Sequence, residues 1–143
     1  MDVTCARGYS LLSFCALHND IRAMEIISKL GVLQERNSEK IVEWANRRSD
    51  RGFTALHYAA YFGNLEMIDF LVKVLRVDID AENELGQNAL HFGAMGDRAA
   101  TIVYFMKNSA MRISEPDSKR RTPLHWAIHS NSRKVLEYIL AHP

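Results

Sequence analysis

Between Gly52 and Leu75 the chain reads GFTALHYAAYFGNLEMIDFLVKVL, and its apolar positions fall into two helical sets. Leu56, Ala59 and Ala60 give a small, close-packing face to a first helix that Ala55 begins and Thr54 is placed to cap. Gly63 stops that helix because it accepts a left-handed backbone at little steric cost, and Asn64 is placed to cap the next. There Met67, Ile68, Leu71, Val72 and Leu75 recur at three-and-four spacing, the stripe of a helix that buries one side. The polar stretch Asp78 to Gln87 then predicts an extended connection ending in a turn at Leu85-Gly86. The same text returns 34 residues later (86 − 52) as GQNALHFGAMGDRAATIVYFMKNS, and after a further 34 (120 − 86) as RRTPLHWAIHSNSRKVLEYILAHP. One helix pair cannot bury its apolar face alone, so the pattern predicts stacked units. Leu56, Leu90 and Leu124 are then expected at the buried interfaces between them.

Upstream, GYSLLSFCALHNDIRAMEIISKL aligns without a gap on GFTALHYAAYFGNLEMIDFLVKV. Gly8 falls on Gly52, Ser10 on Thr54, Leu12 on Leu56, Ala16 on Ala60 and Ile27 on Leu71. Ser13 replaces the histidine of the later copies, and Asn19 stands where Gly63 does. This is a degenerate first unit, as expected where one face meets solvent instead of a neighbour. Met1 to Arg7 carry no period and read as a lead-in strand or frayed end. The first interval, 44 residues (52 − 8), is ten longer than the later ones. The extra text GVLQERNSEKIVEWANRRSD offers Asn37 and Ser38 as helix starts, Glu39 in a first turn, and Ile41, Val42, Trp44 and Ala45 beyond it. It predicts a short added helix laid over the array, with Trp44 as its packing anchor; the alternative for Trp44 is an exposed partner contact.

The blocks Thr54-Ala55-Leu56-His57-Tyr58-Ala59, Asn88-Ala89-Leu90-His91-Phe92-Gly93 and Thr122-Pro123-Leu124-His125-Trp126-Ala127 resemble the ankyrin-repeat signature T-P-L-H-x-A. The resemblance covers the chain from Gly8 onward. It implies an all-α solenoid of about four helix-turn-helix repeats joined by finger-like β-turns, a single domain over residues 1–143. The repeats fall at about 8–31, 52–83, 86–117 and 120–143, with the insertion at 32–49. The period exceeds the usual one of about 33, which suggests an extra residue in each finger. Three departures bear on local geometry. Asn88 replaces threonine, Gly96 adds flexibility near the end of its helix, and Arg120 stands where the turn glycine is expected. A side chain in that left-handed geometry costs ~1–2 kcal/mol, so the last turn is expected to be locally reshaped. More narrowly, GQNALH through GD followed by TPLHWA resembles the N-terminal ankyrin segment of protozoan DHHC-type palmitoyltransferases. That implies a recognition module of a larger membrane-anchored enzyme.

Composition narrows the function classes. Lysine and arginine number 18 against 17 aspartates and glutamates, so no global field advertises nucleic acid or anionic lipid. At 143 residues, one domain burying roughly two-thirds of its unfolded surface is expected. Cys5 and Cys15 lie ten residues apart, outside any CxxC spacing, which argues against a disulfide framework and for a reducing compartment. The N-terminus lacks a basic segment leading into an apolar one. The longest apolar run falls far short of the ~20 residues a spanning helix needs. The expected compartment is the cytoplasm, or the cytosolic face of a membrane if the parent is a palmitoyltransferase.

Catalytic readings fare poorly. His57, His91 and His125 recur at the repeat interval, and stacked helices would hold them roughly 10 Å apart, too far to share a zinc bound at about 2 Å. Each imidazole is expected instead to bond its neighbouring threonine or a turn carbonyl, tying finger to helix. Cys15 aligns with Ala59 and Gly93 and reads as a small core residue, not an activated thiol. No phosphate loop, paired-carboxylate box or GxSxG elbow occurs. The expectation is a non-enzymatic module with no cofactor, no metal and no nucleic-acid partner.

The ankyrin resemblance also implies which residues face the concave side. From the helix ends these are Leu17 and His18, Tyr61 and Phe62, Met95 and Gly96, and His129 and Ser130. From the turns they include Arg51, Phe53, Leu85, Lys119 and Arg121. Tyr58, Phe92 and Trp126 should instead pack between repeats. A large apolar patch rimmed by charge is what an interaction site looks like, so the expected partner-binding residues are Arg51, Phe53, Tyr61, Phe62, Leu85, Met95, Lys119, Arg121 and His129. The alternatives are that the insertion folds over the patch, or that a second copy covers it in a structural assembly. Arg47, Arg48 and Arg51, with Lys119, Arg120 and Arg121, form basic tips that could choose acidic flanks, the plainer reading being solvated finger ends. The final helix, RKVLEYILA, is more apolar than one neighbour can bury, so the natural chain is expected to continue past Pro143.

Overall fold

A computed structural model describes residues 11–34 and 38–142, and among them every regular element is helical. The lead-in at 1–7, the Gly8 turn and the start at Asn37 lie outside the described residues. Helices α1 (Leu11–Leu17) and α2 (Ile21–Gln34) form the first pair, and α3 (Ser38–Ala45) is the added helix. The second pair is α4 (Ala55–Phe62) with α5 (Leu65–Asp69), which widens into a π-helical turn over Phe70–Val74. Then come α6 (Ala89–Met95) with α7 (Ala99–Asn108), and α8 (Pro123–His129) with α9 (Arg133–Ala141). The inner helices stack in series, α1 on α4, α4 on α6 and α6 on α8, with each outer helix packed behind its partner. This is the all-α helix-pair solenoid the repeat pattern implies.

The turn between paired helices is the same in all four copies. Asn19, Gly63, Asp97 and Asn131, at equivalent positions, have φ of 56°, 71°, 58° and 53°. The left-handed turn does not by itself require glycine, because asparagine and aspartate tolerate that region, but at Gly63 a Cβ would run into the Arg98 side chain. Asn64 Oδ1 accepts the Met67 N–H at 3.3 Å and caps α5. Gly96 plays a different part from the flexible hinge its sequence position suggests: its φ is −85°. A Cβ there would stand 2.0 Å from the Tyr61 carbonyl oxygen, so glycine permits α4 and α6 to approach.

Leu12, Leu56 and Leu90 are buried at equivalent positions, as are Ala16, Ala60 and Ala94. Leu124 differs from its expectation. It is only half-buried, because α8 is the last inner helix of the stack and no described residue covers its far side. Along α9, Val135 is buried, Leu136, Tyr138 and Ile139 are partly so, and Leu140 is exposed. Cys15 is a core residue whose thiol is pushed up by burial, then by the charge of Asp20. Trp44 packs against the core beside buried Ala45, which anchors α3, and α3 itself lies on α2. Helix α2 runs on to Gln34, past the Gly31 boundary expected for the first repeat.

Candidate partner-binding surface

Histidines fix the fingers to the helices. His57 Nδ1 accepts the Thr54 N–H at 2.9 Å, which leaves the hydrogen on Nε2 to be donated to the Ala81 carbonyl at 3.0 Å in the next connection. His91 repeats the arrangement, with Nδ1 taking the Asn88 N–H at 3.2 Å and Nε2 facing the Arg121 carbonyl at 3.2 Å. Burial, working against backbone acceptors that favour the charged form, holds His57 down to about 4 and His91 below the usual range. These imidazoles are neutral ties between repeats.

Each finger closes on a hub residue. Asn83 Oδ1 accepts the Leu85 and Gln87 N–H groups at 3.0 and 2.9 Å, and the Gly86 N–H bonds the Asn83 carbonyl. Asp117 does the same for Lys119 and Arg121, both at 2.9 Å. Successive fingers are joined by Glu84 N–H to the Arg51 carbonyl, 3.2 Å, and Ser118 N–H to the Leu85 carbonyl, 2.9 Å. Gly52 (φ 78°) and Gly86 (φ 67°) are doubly required, since a Cβ would lie 3.0 Å from Glu84 N and 3.1 Å from Ser118 N respectively. Arg120 adopts the same conformation, φ 61°, and its finger keeps the Asp117–Arg121 pairing. The expected reshaping of this turn is therefore absent. No following finger among the described residues presses on Arg120, so only the left-handed strain remains.

The expected partner-binding residues separate into three groups. Tyr61 and Phe62, at the end of α4, are 42% and 39% exposed and set edge to face at 5.2 Å. Their backbone is fixed from the next repeat, where Arg98 Nε donates to the Tyr61 carbonyl at 3.2 Å. Arg51, Leu85 and Lys119 are exposed on the fingers and His129 on α8, while Met95 is half-buried. Phe53 and Arg121 do not stand free. Phe53 lies 5.5 Å from Phe92, 5.9 Å from Tyr58 and 6.2 Å from His57, filling the joint between repeats two and three. Arg121 is bonded through Nε to Asp117 Oδ2 at 3.1 Å, and its guanidinium lies 4.2 Å over the Trp126 ring. Asp117 is buried; burial raises its pKa, but the Arg121 N–H, the Trp126 indole and the Lys119 N–H outweigh that and hold it low. Of the basic tips, Arg48, Arg51, Lys119 and Arg120 are exposed, Arg48 with its guanidinium bonded to the Glu82 carbonyl.

Sequence reasoning overlooked Leu65 and Arg98. Leu65 follows the cap Asn64 and is exposed close in sequence to Phe62. It lies off the buried stripe Met67-Ile68-Leu71, which is the signal that could have found it. The described part of the insertion leaves Tyr61 and Phe62 open. Among the described residues no helix is long and apolar enough to cross a membrane.

Two family models of ankyrin repeats match the chain, one of three copies over residues 71–143 and one of many copies over residues 44–92. Alpha-latrotoxin-Lg1a of Latrodectus geometricus is 30% identical over 95 residues, 66% of this chain and 7% of the toxin. Ankyrin repeat domain-containing protein 53 of Homo sapiens is 30% identical over 81 residues, 54% of this chain and 15% of that protein. The nuclear factor NF-kappa-B p105 subunit of Rattus norvegicus is 26% identical over 136 residues, 94% of this chain and 13% of the subunit. The chain thus spans less than a fifth of the length of each of these relatives. With the three-copy family model covering just over half of it, and the histidine-tied helix pairs on which that pattern rests, the chain belongs to the ankyrin-repeat family.

Proposed function

We propose that this chain is a non-catalytic protein-interaction module that holds a peptide or protein surface against its concave face. Ankyrin repeats generally serve as protein-protein interaction modules. The observation that supports the specific site is the pair Tyr61 and Phe62, two aromatic rings left exposed on a backbone that Arg98 and Gly96 hold from the neighbouring repeat. Rigid aromatic side chains lose little entropy on docking and dominate binding where they are buried by a partner. Leu65 and Met95 extend the apolar area, while Leu85, Arg51, Lys119 and His129 supply its rim. The narrower form of this proposal, prompted by the resemblance of GQNALH and TPLHWA to the ankyrin segment of DHHC-type palmitoyltransferases, is substrate delivery to such an enzyme.

The test is a displayed peptide library panned on the 143-residue chain. Selected peptides are then compared on the parent and on Tyr61→Ser/Phe62→Ser, both exposed positions whose loss leaves the core intact. Loss of ~2 kcal/mol or more per anchor predicts binding weakened beyond measurement in the double variant. Peptides that bind both proteins equally would move the site to the finger tips or the outer helices. A dimer that forms through Tyr61 and Phe62 and excludes peptide would replace recognition by assembly.

A further inference from the structure

Four residues stand at equivalent positions just ahead of the outer helices: Asp20, Asn64, Arg98 and Ser132. The position suits a short side chain that accepts helix N–H groups. Asp20 and Asn64 do so, Oδ1 of Asp20 taking the Ala23 N–H at 2.9 Å and that of Asn64 the Met67 N–H at 3.3 Å. Ser132 is of the same kind, although its buried hydroxyl makes no bond among the described residues. Arg98 has no acceptor to offer, leaves α7 uncapped and brings a positive charge to the wrong end of its dipole. A residue that breaks a local rule in this way has its task elsewhere.

The Arg98 side chain runs back over repeat two. Its stem lies between Gly63 and Gly96: a Cβ at Gly63 would run into it, and one at Gly96 would stand 3.3 Å from its Cγ. Nε donates at 3.2 Å to the Tyr61 carbonyl, near the end of α4, where a cation is favoured. The guanidinium is thus fixed to the backbone that carries the exposed rings of Tyr61 and Phe62. Both of its Nη groups are without a hydrogen bond or an ion pair among the described residues, and Arg98 is exposed. The adjacent Asp97 carboxylate does not serve it, being engaged with the Val135 N–H at 3.1 Å.

We propose that Arg98 determines the specificity of the Tyr61-Phe62 surface by taking an aspartate or glutamate side chain that a partner peptide carries beside a large apolar residue, a selection that rests on the partner-binding reading of that surface. The apolar residue covers the two rings, and the carboxylate meets the Nη edge of the guanidinium end-on in a forked pair. With its stem packed and its Nε already bonded, the guanidinium gives up little freedom when the pair forms. Neutral and basic segments are disfavoured by the same group, because covering the cation without a carboxylate takes its charge from water uncompensated. Leu65 and Met95 continue the apolar area past the rings, so the segment crosses the site and offers a side chain, not its terminal carboxylate.

A displayed library of linear peptides panned on the full chain tests this, with synthetic copies of the selected sequences measured by fluorescence anisotropy. An aspartate or glutamate at fixed spacing from a large apolar residue should emerge. Replacing that acid by its amide should weaken binding to the parent about 10- to 100-fold, the range of a hydrogen bond to a charged group. Arg98→Gln should weaken the acidic peptide by the same factor and leave the amide peptide unchanged, a coupling that mere loss of support at the Tyr61 carbonyl would not produce. Equal weakening of the acidic and amide peptides by Arg98→Gln would overturn the proposal. Selected peptides that carry no acid yet lose binding on Tyr61→Ser/Phe62→Ser would overturn it and leave the aromatic surface standing. Peptides that bind this double variant as well as the parent would overturn both. Binding lost on amidating the peptide's C-terminus, with its acidic side chain dispensable, would assign the carboxylate to a chain end and likewise overturn the proposal.

Discussion

His57 donates from Nε2 to the Ala81 carbonyl 3.0 Å away, so an imidazole of one repeat holds the connection that leads to the next. Its other nitrogen takes the Thr54 N–H, and the ring is buried. Such a group is an efficient neutral tie and a poor place for a proton.

Acid should therefore weaken the fold before most carboxylates titrate. The folded pKa of His57 is about 4 against an ordinary value of 6.5, and that of His91 is also lowered, both chiefly by burial. With folded values depressed, the unfolded chain binds more protons between the two, and stability falls as pH drops below 6.5. For His57 the loss approaches about 3 kcal/mol as pH nears its folded value. Urea midpoints at about pH 7 and about pH 4.5 should differ accordingly, and the difference should shrink in His57→Gln. Equal midpoints in the parent would mean that the imidazoles are not buried ties.

The three inner-helix leucines should separate. Leu56→Ala and Leu90→Ala leave cavities between repeats and should each cost ~2–5 kcal/mol. Leu124→Ala, at a half-buried site, should cost about 1 kcal/mol. Thermal melts of the three variants check this; equal losses would place a covering element over α8.

Arg120→Gly should stabilise by about 1 kcal/mol, since φ 61° strains any side chain and no following finger among the described residues packs there. Gly86→Ala should do the opposite and more strongly, with a Cβ forced 3.1 Å from Ser118 N. A destabilised Arg120→Gly variant in chemical denaturation would mean that the arginine side chain makes an interaction worth more than the strain.

The helix pairs, their turns and the histidine ties were legible because each is written several times in phase, and position-by-position comparison averages out the exceptions. What escaped are features set by a particular neighbour. Phe53, Gln87 and Arg121 are equivalent in sequence but meet different surroundings. Phe53 is drawn into the Tyr58-Phe92 joint, Gln87 bonds Asn83, and Arg121 is taken by Asp117 and Trp126. Gly96 reads as a hinge in one dimension and as a contact point in three, because the Tyr61 carbonyl that needs the space belongs to another repeat. The π-helical turn at Phe70–Val74 leaves no mark on a three-and-four pattern that fits either helix type.

Salt should act on association through Arg51 and Lys119, basic tips whose side chains stay exposed. If they steer an acidic flank of the partner, the association rate of a library-selected peptide should fall as ionic strength rises toward ~0.15 M, where screening acts beyond about 8 Å. Arg121→Ala should change stability more than that rate, because its guanidinium is already engaged. A salt-independent rate would leave these residues as solubilising charge.

The most direct measurement of partner binding at the Tyr61-Phe62 surface is site-specific photo-crosslinking. A photoreactive phenylalanine placed at Tyr61, and separately at Val74 on the outer helix, presents the same chemistry on two exposed sites of one fold. In extract from the source cells, a discrete crosslinked product is expected at position 61. That product should be suppressed by excess unlabelled parent chain, should persist in excess Tyr61→Ser/Phe62→Ser, and should be missing at position 74. The same product at both positions, or at position 74 alone, would contradict it.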